Sequence, residues 1–187
     1  MKNKWKKYIF SGWCVAPIVA FLATTQSVEA SNEQSDNVRL HGVLVSEPCV
    51  ISPGDEEIHL DFGTVIEKYL YLNSRTLGQE FDIRLSECDL SLGQTVRITL
   101  LGRENIALPG LLDIDGKSSV NGIAIGLETL DSVPIQINKP GDTYPLREGN
   151  TVISLKAYVQ GEPEAIAQRN IGRGPFSATA TLSLDYE

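Results

Sequence analysis

The last twelve residues, 176–187, read FSATATLSLDYE and alternate apolar with polar side chains without interruption. The apolar set consists of Phe176, Ala178, Ala180, Leu182, Leu184 and Tyr186. A period of two predicts a half-buried β-strand, because successive side chains point to opposite faces of the pleat. We expect a strand at this position either to complete a sheet of its own domain or to offer its edge to another chain.

Similar alternation occurs along most of the preceding chain. The candidate strands are residues 43–51, 58–62, 81–85, 94–101, 122–127 and 151–159. Between them we expect a turn at 52–55, irregular connections at 65–78 and 162–174, and a meandering region containing Pro134, Pro140 and Pro145. No helical periodicity follows residue 30. About seven short strands with short connections predict an all-β fold, an immunoglobulin-like sandwich.

The beginning of the chain has the pattern of a secretory signal peptide. Four lysines precede an apolar run over residues 8–23, and small residues follow at Val28 and Ala30. Pro17 interrupts the run and no stop-transfer pattern follows it, which disfavours a permanent membrane anchor. We therefore expect residues 1–30 to be a signal peptide that is cleaved after Ala30.

Charge and residue types argue against several classes of function. The signal peptide takes four of the 16 basic and one of the 24 acidic residues, which leaves a net charge of −11. Such an acidic chain is poorly suited to nucleic acid, whose phosphates require lysine and arginine. His41 and His59 are the two histidines, and we expect both on solvated strand faces. No catalytic, cofactor-binding or metal-binding motif is found, so we expect no enzyme, no cofactor and no metal.

Two cysteines remain in the mature chain, Cys49 and Cys88. An even number of cysteines in a secreted protein predicts a disulfide, formed in an oxidising compartment. Closing a loop of about 40 residues stabilises the fold by about 4 kcal/mol in the chain-entropy model. The pair cannot supply the four ligands of a structural zinc site.

Several of these segments together resemble the structural pilins of chaperone–usher fimbriae. The resemblance is carried by residues 42–49 (GVLVSEPC), 81–88 (FDIRLSEC) and 178–186 (ATATLSLDY), and by the penultimate tyrosine. Residues 107–111 (ALPGL), 122–126 (GIAIG) and 163–166 (PEAI) look more like the minor tip or adaptor subunits of P-type pili.

The resemblance implies an incomplete immunoglobulin-like sandwich that lacks its seventh strand, with a hydrophobic groove beside the last strand. A periplasmic chaperone would lend a strand to this groove, and at the outer-membrane usher a neighbouring subunit's N-terminal extension would replace it. Residues 31–44 would be that extension and residues 45–187 the pilin domain. The inward-facing donor residues would be Val38, Leu40, Gly42 and Leu44. Burying one valine and two leucines is worth about 5–8 kcal/mol before ordering costs.

The final strand would line the groove and bind the chaperone, and the Glu187 carboxylate would meet basic residues of the chaperone. The implied function is that of a non-enzymatic fimbrial subunit, secreted through the periplasm to the cell surface, where it acts as a minor tip or adaptor pilin supporting adhesion. The alternatives are a terminator subunit that anchors the fibre base and has a blocked groove, or a monomeric secreted β-sandwich binding module. In the latter case residues 38–44 would complete the chain's own sheet.

Overall fold

The computed structural model describes residues 39–187. This part of the chain contains nine strands and two short helices. In chain order they are β1 (Val50–Ile51), α1 (Glu67–Asn73), β2 (Gln79–Cys88), β3 (Thr95–Leu101), β4 (Leu112–Asp113), β5 (Ile123–Thr129), β6 (Pro134–Ile135), β7 (Pro140–Pro145), β8 (Gly149–Gly161), α2 (Pro163–Gln168) and β9 (Thr181–Tyr186). The prediction of an all-β fold is confirmed. The expected signal peptide at residues 1–30 and residues 31–38 of the expected donor extension, including Val38, lie outside the described residues.

The strands form two antiparallel sheets. The larger sheet has the order β1-β2-β8-β5-β4, with β6 also paired to β5, and the smaller one has the order β7-β3-β9. Strand β3 pairs with β9 from Val96 opposite Tyr186 to Leu101 opposite Thr181. In the described part of the chain β9 is therefore an edge strand of the smaller sheet.

The core lies between the two sheets, within a compact unit formed by residues 43–187. Alternate residues of β8, including Ile153, Leu155 and Val159, are buried, as are Val96 and Ile98 of β3. Each fully buried aliphatic side chain contributes about 1.5–3 kcal/mol. The apolar residues that alternate along residues 94–101 and 151–159 are thus the ones that β3 and β8 bury.

The predicted disulfide joins Cys49 to Cys88. Both residues are buried, and their Cα atoms lie 4.1 Å apart although 39 positions separate them in sequence. The bridge ties the segment before β1 to the last residue of β2. It therefore holds the beginning of the domain against the larger sheet.

The larger sheet is also covered on its outer face at β5, whose first six residues are all buried. The Tyr158 ring lies against Gly126, where an added Cβ would overlap the ring carbon Cζ. Arg75 stacks on the same ring, 3.7 Å from its centroid, and donates to the buried Glu128 carboxylate at 2.9 Å. Burial raises the pKa of the Tyr158 phenol, a shift that Arg75 partly opposes.

Three predicted strands differ from the structure in extent. Of the strand predicted at residues 43–51, only Val50–Ile51 (β1) forms β-structure. Of the strand predicted at 176–187, only Thr181–Tyr186 (β9) does. Residues 58–62 belong to no strand, because no backbone hydrogen bond joins residues 58–65 to another part of the described chain. Alternation shows which side chains pack inward, whereas a strand also requires a hydrogen-bonded partner.

Four elements arise in segments that we expected to be irregular. Helix α1 lies within residues 65–78, and α2 lies within the loop at 162–174. Helices of seven and six residues are too short to show a periodicity of 3.6. The proline-rich region contains β6 and β7. Strand β7 begins and ends with proline, which the edge of a sheet tolerates because those residues have no N–H to donate.

Candidate functional site

The candidate site is the edge of β9 that faces away from β3. No strand within residues 39–187 pairs with this edge, which we call the open edge. Thr95 and Glu187 exchange both of their backbone hydrogen bonds, at 3.1 and 3.0 Å. Backbone groups alternate sides along an antiparallel strand, so the odd-numbered residues of β9 bond to β3. The even-numbered residues Leu182, Leu184 and Tyr186 therefore present their N–H and C=O groups at the open edge.

The segment before β9 continues the same arrangement. The carbonyl oxygen of Ser177 accepts from the Asp115 N–H at 2.7 Å, and that of Pro175 accepts from Ser119 at 3.1 Å. The odd-numbered residues are again the ones held by the domain. The open edge thus begins near Phe176, several residues before the hydrogen-bonded strand.

Even-numbered positions also carry the apolar side chains. Phe176, Ala178, Ala180, Leu182, Leu184 and Tyr186 are all half-buried and pack against the core. The same residues thus offer hydrogen-bonding groups sideways and apolar side chains inward. An added strand would find both of the interactions that β-strand addition requires.

The opposite wall consists of residues 49–66. At one end the Tyr186 hydroxyl lies 3.5 Å from the Cys49 carbonyl oxygen. At the other end the rings of Phe62 and Phe176 are 6.2 Å apart. Leu60, Phe62 and Val65 on this wall are half-buried against the core. We call the space between the two walls the groove.

The groove ends in a pocket of about 280 Å³, which we call the end pocket. Its lining is mainly apolar and includes the buried residues Leu70, Val120, Ile123 and Ile171. Val65 and Phe176 line it as well, one from each wall of the groove. The end pocket is therefore an extension of the groove into the core.

The other end of β9 holds the C-terminal residue. The Glu187 backbone oxygen accepts from Gln94 and Thr95 at 2.9 and 3.1 Å, and its side chain pairs with Arg97 at 2.8 Å. Burial raises the pKa of the neighbouring Tyr186 phenol, and the Glu47 carboxylate adds to the rise. The last residue of the chain is thus fixed to β3 by backbone hydrogen bonds and an ion pair.

The expected donor residues are exposed where the structure describes them. Leu40 is 91% exposed, Leu44 is 101% exposed, and an added Cβ on Gly42 would meet no atom within 4 Å. Residues 39–47 belong to no helix or strand. The six apolar residues expected in the groove, from Phe176 to Tyr186, lie along one side of it, whereas the Glu187 side chain pairs with Arg97 of β3.

Sequence reasoning missed the opposite wall and the end pocket. Leu60 and Phe62 could have been found from the sequence, because they are the inward-facing residues of the alternating run at 58–62. Most residues of the end pocket carry no such signal, because they come from three separate segments, 65–70, 120–123 and 171–176, that meet only in the folded domain. Among residues 39–187 no group of three or more histidine, cysteine or acidic side chains is placed to hold a metal ion. The same part of the chain has no helix long and apolar enough to cross a membrane.

A two-sheet sandwich with an unpaired last strand beside an apolar groove defines a class of β-domain suited to accepting a strand. The family model described as Fimbrial protein matches residues 38–187. The chain is 30% identical over 168 residues to the fimbrial adapter PapK of Escherichia coli, covering 86% of this chain and 93% of PapK. It is 28% identical over 173 residues to the Fimbria A protein of Serratia marcescens, covering 92% and 96%.

Solved structures agree on the fold. The crystal structure of the P pilus rod subunit PapA matches with a TM-score of 0.65 at 24% identity, covering 75% of this chain and 100% of PapA. The chain belongs to the fimbrial protein family and has its immunoglobulin-like fold. It is a structural subunit of chaperone–usher pili and not an enzyme. Such subunits are exported through the periplasm, assemble with other pilus subunits and form surface pili.

Proposed function

We propose that this subunit accepts a strand at the open edge of β9 and donates residues 31–44 to the groove of a neighbouring subunit. The observation that carries the proposal is the unpaired edge itself, since Leu182, Leu184 and Tyr186 present both backbone groups and half-buried apolar side chains. An open edge of this kind invites pairing with another strand. In the periplasm a chaperone would occupy it first, and at the outer-membrane usher a neighbouring subunit's extension would replace the chaperone strand.

The donor half of the proposal is supported by the exposure of Leu40 and Leu44. Two exposed leucines spaced by four residues present apolar side chains on the same face of an extended strand. Arg39 and His41 would then point to solvent.

Within the fibre we propose the place of a minor tip or adaptor subunit. The 30% identity to a fimbrial adapter supports this position, as do the three short segments that resemble adaptor subunits. The end pocket and the open edge argue against a terminator, which would need a blocked groove.

Photo-cross-linking in assembled fimbriae tests both the proposed strand exchange and the proposed position in the fibre. A photoreactive residue replaces His41 in one variant and Thr181 in another, because Thr181 is exposed on β9. An adaptor should cross-link to one kind of subunit through position 41 and to a different kind through position 181. A rod subunit would cross-link to further copies of itself at both positions. Cross-links confined to a single chain would contradict strand donation.

A further inference from the structure

One ion pair at the end pocket joins the segments that adjoin the two walls of the groove. The Arg173 side chain donates to both Glu67 oxygens, with Nε–Oε2 at 2.5 Å and Nη2–Oε1 at 2.6 Å. Glu67 follows the wall formed by residues 49–66, whereas Arg173 precedes Phe176 on the other wall. Both side chains line the end pocket. The two residues are 106 positions apart in sequence, so the pair exists only in the folded domain.

Both partners are held by well-anchored backbone. Glu67 lies in the first turn of α1, which is fixed in the core by Leu70 at 2% exposure. Arg173 lies between Gly172, whose N–H donates to the Asn121 oxygen at 3.0 Å, and Gly174. An added Cβ would come within 2.6 Å of Asn121 at Gly172 and within 2.9 Å of Ser119 at Gly174. The close approach of this loop to residues 119–121 fixes the backbone on either side of Arg173.

The exposures place the pair at the rim of the pocket. The Arg173 side chain is 82% exposed and that of Glu67 is 22% exposed, whereas the pocket floor is apolar and buried. A bidentate arginine–carboxylate pair is geometrically specific, and the pKa of Glu67 is lowered mainly by its hydrogen bond from Arg173. The ion pair thus lies beside the apolar pocket at the end of the groove.

We propose that Glu67 and Arg173 form a clasp across the end of the groove, which a strand must open before it can fill the end pocket. The clasp rests on the proposed function, because it needs a strand that enters the groove. It sets the rate of strand entry.

Strand exchange on the chaperone-bound full chain tests the clasp. The probes are a synthetic peptide of residues 31–46 of this chain and the corresponding N-terminal peptide of the subunit that copurifies with it. Native mass spectrometry follows replacement of the chaperone by peptide. Because exposed pairs contribute little individually, we expect Glu67→Gln and Arg173→Gln to speed exchange about two- to fivefold. Raising the ionic strength should increase the exchange rate of the wild-type protein, because salt screens the ion pair. The exchange rates of both variants should not change.

Two controls separate a clasp from a general effect on structure. The double variant Glu67→Arg with Arg173→Glu restores opposite charges and should return exchange toward the wild-type rate. Arg103→Gln removes a comparable exposed pair with Asp113, at 3.0 Å and away from the end pocket, and should leave the rate unchanged. If the wild-type complex exchanges and neither single variant exchanges faster than it does, the clasp alone would be overturned. A wild-type complex that exchanges with neither peptide would overturn the clasp and the proposed strand acceptance together.

Discussion

The Tyr186 hydroxyl lies 3.5 Å from the carbonyl oxygen of Cys49, one of the two disulfide cysteines. The last residue of β9 thus meets the bridge that holds the start of the domain. The groove is closed at this end by Tyr186 and Cys49, and at the other end its walls meet through Phe62 and Phe176. The proposed strand would enter between these contacts.

We predict that aspartate at both Leu182 and Leu184 abolishes the chaperone complex. Both side chains are half-buried in the groove, where two carboxylates would lose hydration without gaining a partner. Copurification of the chaperone with periplasmic subunit measures the effect. Thr181→Asp is the matched control, because Thr181 is exposed on the same strand. Undiminished recovery of the double variant with the chaperone would contradict the assignment of the groove.

The Cys49–Cys88 bridge should appear as a linked peptide pair in mass spectra recorded without reduction. Replacing both cysteines by alanine should lower the free energy of unfolding by about 2–5 kcal/mol, since the open loop regains chain entropy in the unfolded state. Urea unfolding of the chaperone-bound subunit measures this change. Two free thiols in periplasmic protein would rule the bridge out.

Gly126→Ala should destabilise the domain by about 1–3 kcal/mol, because the new methyl group overlaps the Tyr158 ring. Gly116→Ala is the control, since an added Cβ there meets no atom within 4 Å. Thermal unfolding of both variants against the wild type provides the comparison. Equal melting temperatures for all three would show that the Tyr158 ring can move away without cost.

Tyr158 should make the domain sensitive to alkali. Burial raises its pKa in the folded state, so the folded protein binds the phenolic proton more tightly than the unfolded chain does. The resulting stability is fully present below the unfolded pKa of about 10 and is lost as pH rises through the raised folded value. Tyr158→Phe should flatten the fall in unfolding free energy above about pH 9. Tyr144 and Tyr186, whose pKa values are also raised by burial, should leave a residual slope.

Much of this fold follows from local pattern. Strands β3, β8 and β9 could be predicted because each buries alternate residues on one face, and the disulfide because the chain has two mature cysteines. Strand β7 could not be predicted, since Pro140 and Pro145 break the pattern at its ends. Residues 58–62 were mistaken for a strand because their alternation reflects packing against the core, whereas hydrogen bonding depends on a partner that residues 39–187 do not supply.

One of the two sides of the groove could be predicted from the sequence. The apolar residues of the last strand alternate regularly with polar ones, so the sequence predicts the side of the groove that this strand forms. Glu67 and Arg173 could not be connected, because nothing local distinguishes an acid and an arginine 106 residues apart from the other charged residues of the surface. The end pocket likewise depends on tertiary structure alone.

Gly42→Leu should weaken docking of this subunit into its neighbour by about 1–3 kcal/mol, because a leucine between Leu40 and Leu44 would overpack the inward face of the donor strand. A peptide of residues 31–46 with this change should replace the chaperone on a partner subunit more slowly than the natural peptide. Normal exchange by the altered peptide would contradict the inward placement of Gly42.

Deleting residues 31–41 tests strand donation most directly. We predict a subunit that still folds, closes its disulfide and copurifies with the chaperone, yet fails to dock into the neighbouring subunit. Native mass spectrometry of the periplasmic complex and of its mixture with a chaperone-bound neighbour measures both properties in one experiment. A deletion variant that cannot be recovered folded would mean that these residues complete the chain's own sheet, and would contradict strand donation.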